Sequence, residues 1–371
     1  MDLSLFFNAL PEEMSVSTDS YSDLYYAADI FCNSFPKIQS NSVSFIGLPD
    51  SSDPDDPWRL SDRFRHHFYS LKRTARTVIF QDLGNLRMGA NDEETRTRIA
   101  EVCSAVVEMG SVPVLLGGSR EFILAQFAAH KHTDDDLNIA NIDSTLDLDH
   151  EDGVLHKVVT MTSHLPTHFC QIGYQSYLVD PMGIAVMERL NFESCRLGQI
   201  HEDFRVTEPL IRDADLLFFN LSAIRHSAFA HAPGARPFGL NGEQACQMCW
   251  YAGTSPRLKS LGFFNILPSV VNSDVDMLTL SIMVWHFLEG FGYRQNENPR
   301  GGAAFEKYHV AFTGTEDLHF YHSRMTDRWW VEVPKADGKE GYLLPCQYQE
   351  YLQAQNGYIP DRWVRTFGRL N

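Results

Sequence analysis

No part of this sequence is apolar for long. The stretch around Leu216–Phe219 and the helix-patterned run Met277–Phe291, which carries His286 and Glu289, both fall short of the roughly 20 residues that span a bilayer. Membrane insertion is therefore not expected. The opening Met1-Asp2-Leu3-Ser4 lacks the basic start of a secretory signal. Cysteine is sparse: seven residues, an odd number, scattered along the chain, which suits reduced thiols better than a disulfide framework. These absences together point to the cytoplasm. Basic residues are outnumbered, 31 against 48 acidic ones, for a net charge of −17. So acidic a chain repels phosphate backbones, and no nucleic-acid partner is expected. Internal repeats and low-complexity tracts are absent.

Several catalytic signatures are missing too. No Gly-Lys-Ser/Thr follows Gly117-Gly118, so that pair is not a phosphate loop. No Gly-x-Ser-x-Gly elbow surrounds Ser222, so it is not read as a nucleophile. Cys246-Gln247-Met248-Cys249 has no second pair at zinc spacing and is read as two thiols on a packed helix. The acidic run Asp147–Asp152 lacks the glycine turn and bidentate glutamate of a calcium loop and is read as a solvated loop. His66-His67 and His130-Lys131-His132 are read as surface histidines.

What is present is a large apolar complement, 44% of 371 residues, with 12% aromatics. That is enough for a sizeable core and excludes a disordered chain. The first forty residues are Ser-rich with scattered aromatics and are expected to pack as a helical lead-in. From residue 41 an alternation begins. Short runs at Val43–Leu48, Thr77–Phe80, Val112–Leu116, Leu137–Ile142, Phe169–Ile172, Asp215–Leu221 and Leu261–Ile266 read as strands. Helical patterns lie between them, at Asp92–Met109, Glu121–His130, Pro181–Leu190, Gly242–Tyr251 and Asp274–Phe291. Strands alternating with helices predict an α/β fold, a doubly wound parallel sheet with its site at the carboxyl ends of the strands. Near Gln295–Gly302 the composition becomes that of a linker. Residues 296–371 form an aromatic-rich C-terminal extension, with Trp329 and Trp330 expected to seat it on the core; a partner-docking surface is the alternative.

Four predicted strand ends gather small and polar residues: Gly117-Gly118-Ser119-Arg120, Asp143-Ser144-Thr145-Leu146-Asp147, Asn220-Leu221-Ser222 and Asn265-Ile266-Leu267-Pro268. After the third comes the loop Pro233-Gly234-Ala235-Arg236-Pro237-Phe238-Gly239-Leu240. In order and spacing this resembles the ureohydrolase family of arginase, agmatinase and formimidoylglutamase, over residues 41–295. The resemblance implies an arginase-type three-layer α/β/α fold. It also implies a site where two Mn²⁺ ions, held by two histidines and four aspartates, share a hydroxide that attacks a guanidinium or formimidoyl carbon.

Carried over residue by residue, the pattern is degenerate. Ser119 stands at the aspartate beside the first ligand. The ligand positions are Arg120, Asp143, Thr145, Asp147, Asn220 and Ser222, of which only Asp143 and Asp147 keep a ligand. Asn265 stands at the late glutamate of the substrate site. Arginine offers a metal no lone pair. The expectation is a pseudoenzyme with no catalytic residues, no cofactor and no metal, acting as a binding, scaffold or regulatory protein. A protein partner and homo-oligomerisation are left open. The competing readings are a formimidoylglutamase-like hydrolase with a rearranged metal site, and a small-molecule sensor using the old pocket. Charge at the former site sums to −1, from two aspartates and one arginine. Arg120 is therefore expected to enter the former metal space and bind one or both carboxylates, with Thr145, Asn220 and Ser222 as neutral donors.

Overall fold

The computed structural model describes all residues except 12–19, 50–58, 131–136, 161–167, 232–233, 235, 267–272, 303, 313–316 and 336–339. In chain order, the first half contains β1 (Phe7–Asn8), β2 (Ala28–Ile30), β3 (Ser42–Gly47), α1 (Arg59–Phe68), β4 (Phe80–Leu86), α2 (Asp92–Glu108), β5 (Ser111–Leu116), α3 (Phe122–Ala128), β6 (Asn138–Ile142), α4 (Val154–Thr160) and β7 (His168–Tyr174). There follow α5 (Pro181–Arg189), β8 (Glu193–Arg196), α6 (Leu197–Glu202), α7 (Thr207–Arg212), β9 (Leu216–Asn220), α8 (Gly242–Thr254), β10 (Ser260–Phe264) and α9 (Asp274–Gly292). The last part holds β11 (Phe305–Val310), β12 (Leu318–Ser323), β13 (Trp329–Val333), β14 (Tyr342–Cys346), α10 (Tyr348–Gln355) and α11 (Asp361–Leu370).

The main sheet runs β1-β4-β3-β5-β10-β9-β6-β7-β8, with β2 also on β4. All its pairings are parallel except β1 with β4. Both faces are covered, so the central strands are buried on every residue. In β9, Leu217 and Phe219 join the cluster formed with α1 and α6 to α9. Leu216 and Phe218 point the other way, into the cluster formed with α2 to α5. The period of two in a strand thus yields two cores and three layers. Helix starts are fixed locally. Asn91 caps α2 by accepting from Glu94 N at 2.8 Å, and Asn241 and Gln244 cap α8 reciprocally at 2.7 and 3.0 Å, the arrangement that satisfies orphan N–H groups.

Some expectations need correction. The described part of the first forty residues forms 3-10 turns at Leu3–Phe6 and Leu24–Ala27 and the short strands β1 and β2; pairing with β4 outweighs any helical tendency. The second predicted strand, at Thr77–Phe80, lies instead at Phe80–Leu86. Its polar Asp82 and Asn85 hid it, and both are buried because Arg65 of α1 bonds them at 2.7 and 2.6 Å. His130 is buried, not superficial, with Nε2 3.2 Å from Ser260 Oγ. Burial lowers its pKa to about 4. Lys131 and His132 lie outside the described residues.

The C-terminal strands form their own antiparallel sheet, β11-β12-β13-β14, over a separate core that includes Trp329, Tyr351 and Trp363. Trp329 therefore packs within the extension, while Trp330 meets Arg212 of α7, whose guanidinium lies 4.4 Å from its ring centre. The seat on the main body is largely polar. Arg362 donates to Glu193 at 2.8 Å, Arg369 to His168 Nδ1 at 2.8 Å, and Tyr342 to Asp213. Asn138 donates to Tyr342 at 2.8 Å. These partners stand at or just before the first residues of β6, β7, β8 and β9, so the extension covers the amino end of the sheet.

Candidate functional site

The four strands whose ends carry the motifs, β5, β10, β9 and β6, are consecutive neighbours in the sheet. Parallel pairing points all four carboxyl ends the same way, and this brings the motifs together. After β5 the chain turns through Gly117 and Gly118 at φ +103° and +78°. A Cβ on Gly118 would fall 2.3 Å from the Phe122 ring, so this turn demands glycine. It delivers Arg120 to the space between the loops that follow β6.

Arg120 grips Asp147 with both Nη atoms, at 2.6 and 3.2 Å, and Nη2 lies 3.3 Å from Asp143 Oδ2. The fork geometry suits a carboxylate. The same Asp147 carboxylate accepts from the backbone N–H groups of Val154 and Leu155 at 2.7 and 3.2 Å. It is therefore the N-terminal anchor of α4, not a member of a merely solvated loop. Each of its oxygens receives one guanidinium and one backbone N–H. Asp143 is 1% exposed. Its Oδ1 accepts from Thr145 N at 3.2 Å, Thr145 Oγ1 at 3.3 Å and Ser222 Oγ at 2.9 Å. Burial pushes the Asp143 carboxyl up, against the pull of Arg120, the Thr145 backbone N–H and the Ser222 hydroxyl. The unbalanced −1 is thus eased from two sides: burial favours the neutral acid at Asp143, and the positive end of α4 faces Asp147.

The expected network needs one correction. Asn220 does not reach the aspartates. It donates to Asn141 Oδ1 at 3.0 Å, Asn141 donates to Gln171 at 2.7 Å, and Gln171 donates to the carbonyls of Asp143 and Thr145 at 2.9 and 3.1 Å. A buried row of amides across β9, β6 and β7 thus positions the Asp143–Thr145 loop through its backbone. Sequence reasoning missed Asn141 and Gln171. The available signal was a polar residue inside each of two otherwise apolar strands. Asn265 holds a left-handed φ of +61°, which asparagine tolerates better than most residues. It lies 3.5 Å from Ser222 Oγ. Ser119 is exposed.

The donor set does not fit a pair of Mn²⁺ ions. Asp147 has its oxygens engaged, Asp143 shares its two between hydroxyl, backbone and guanidinium donors, and a cation already sits between them. Among the described residues no three His, Cys, Asp or Glu side chains are grouped so as to hold a metal ion, and no helix is long and apolar enough to cross a membrane. Cys246 and Cys249 are buried on α8, where burial raises both thiols.

Comparison with known proteins places this geometry. The model of the arginase family matches residues 56–213. Formiminoglutamase of Trypanosoma cruzi with Mn²⁺ superposes with a TM-score of 0.62 at 17% identity, covering 68% of this chain and 94% of that one. Formimidoylglutamase of Bacillus subtilis gives 0.64 at 15% identity, with 77% and 97% covered. Agmatine ureohydrolase of Thermoplasma volcanium gives 0.55 at 13%, with 69% and 91% covered. No curated protein matches in sequence. The fold is the arginase-type three-layer α/β/α fold.

Proposed function

We propose that this chain is a divergent member of the arginase superfamily in which an Arg–Asp lock stands where the dimetal centre would be, and that it acts as a non-catalytic binding, scaffold or regulatory protein. In this reading residues 41–295 are the arginase-like unit, 1–40 a lead-in and 296–371 an added extension. Arg120, Thr145, Asn220 and Ser222 occupy former ligand positions beside the retained Asp143 and Asp147, and Asn265 a former substrate position. One observation carries the reading: the Asp147 carboxylate is spent on Arg120 and on the first turn of α4. Breaking that arrangement to admit a metal would strand a guanidinium. Titration of the full chain with Mn²⁺, followed by calorimetry, is expected to show no stoichiometric binding. Assays with arginine, agmatine and formimidoylglutamate are expected to release neither urea nor formamide. Two bound ions per chain, or turnover, would reject the reading in favour of a rearranged hydrolase.

A further inference from the structure

We propose that a second site lies at the opposite end of the sheet, and that it receives an extended peptide of a partner protein carrying an acidic side chain. The site is a half-open cleft of about 1160 Å³ between the carboxyl-terminal ends of α7, α8 and α9 and the C-terminal extension. Neither half forms it alone. Trp250, Tyr251 and Tyr293 line it from the main body, and Tyr308, Tyr348 and Tyr351 from the extension. At this size it exceeds the roughly 300–1,000 Å³ typical of a small-molecule pocket.

The chemistry of the walls selects the occupant. Each lining carboxylate already lies beside a basic side chain. Asp203 lies 2.9 Å from Arg205, Glu208 lies 2.9 and 3.2 Å from Arg212 and Arg328, and Asp327 lies 2.7 Å from His322. Apart from Glu208 Oε1 and Arg212 Nε, which face each other at 2.9 Å as an ion pair, the unmatched groups are donors. Arg76 stacks 4.0 Å over the Tyr293 ring and makes one 3.5 Å bond to the Gly292 carbonyl, with no carboxylate partner among the described residues. Arg212, only 4% exposed, has no acceptor for Nη1 among them. A ligand for this cleft must therefore bring acceptors and negative charge, and a cationic one is disfavoured. Four glutamines also line it, Gln295, Gln347, Gln349 and Gln355, and side-chain amides can pair with a peptide main chain. Tyr293 and Tyr348 remain 38% and 49% exposed, leaving ring surface for apolar side chains. Tyr, Trp and Arg are the residues that most often anchor protein interfaces. The inference does not depend on the loss of the metal site, which lies at the other end of the strands.

The test is selection of random phage-displayed peptides on the full-length protein, followed by calorimetry with synthetic copies. Selected peptides are expected to carry Asp or Glu at a fixed register. Arg76→Glu should weaken binding at least tenfold, and a peptide with that acid changed to Lys should regain most of the loss against the variant. Tyr348→Ala should also weaken binding. Both side chains are exposed, so the variants should keep the fold, and the charge-swapped peptide separates a contact from a folding defect. No peptide above background, basic peptides, binding indifferent to both substitutions, or an equal response to citrate alone would each overturn the proposal. None of these outcomes bears on Mn²⁺ binding, so the two readings fail separately.

Discussion

Arg120 carries a fixed positive charge into a space framed by two carboxylates, and its removal should be felt by both. Breaking a buried ion pair from one side costs about 3–5 kcal/mol. Arg120 and Asp147 each retain 20% side-chain exposure, so Arg120→Ala is expected to cost near the lower end, about 3 kcal/mol, in urea unfolding. Adding Asp143→Asn and Asp147→Asn should recover much of that, because no carboxylate is then left stranded. A stability equal to wild type for Arg120→Ala alone would show that the lock contributes nothing. Asp143 offers a pH test. Its folded pKa is raised, so the folded state holds the proton to higher pH than the unfolded state does. Its contribution is present at low pH and is lost as pH rises above the ordinary carboxylate range. The stability of wild type relative to Asp143→Asn should therefore fall on going from pH 4 to 7. Arg120, Asp143, Asp147, Thr145 and Ser222 were legible in the sequence because each sits at a fixed offset from a strand end. The link from Asn220 to the loop was not, because it passes through Asn141 and Gln171 on other strands, and no local spacing records which amides face each other across a sheet.

Among elements, α11 is held by arginines one turn apart. Arg362 meets Glu193, Arg365 the carbonyl of Phe192 at 3.2 Å, and Arg369 both His168 and the carbonyl of Asn191. His168 accepts a bond from Arg369 on Nδ1, so its ring is neutral. Burial, then Arg369, holds its pKa well below 6.5; Arg362 and Arg257 push the same way and Asp213 opposes. Glu193 stands 3.5 Å from Nε2. The unfolded chain takes up a proton near pH 6.5 and the folded chain does not. This contribution is therefore present above pH 6.5 and lost below it, by up to about 1.4 kcal/mol per pH unit. Unfolding followed from pH 7 to 5 should show that slope, and His168→Asn should reduce it, leaving the part that His130 supplies in the same direction. The apolar strands and capped helices of the main body were legible because periodicity and Gly or Asn punctuation are local. β4 was displaced and β8 was missed for a shared reason. Each buries a carboxylate, Asp82 or Glu193, and an arginine partner looks like a surface residue until its carboxylate is found.

For the whole molecule, the extension is a hydrogen-bonded, polar cover and not an apolar one. A chain ending at Asn298 would leave Glu193 and Asp213, 5% and 2% exposed, without Arg362 and Tyr342. It is expected to unfold at clearly lower urea; an unchanged midpoint would make the extension a mere tether. On the proposed reading, the fold allows a test of how much of a metal centre remains latent. Changing Arg120→His, Thr145→His, Asn220→Asp and Ser222→Asp together should raise the melting temperature on addition of Mn²⁺, while wild type stays unmoved. Any one of these changes alone is expected to lower stability without conferring binding. Asp147 now begins a helix as well as answering a guanidinium. On the proposed reading, each single step back toward a ligand set loses a structural bond before it gains a metal site, so the anchor of α4 works as a ratchet on the site.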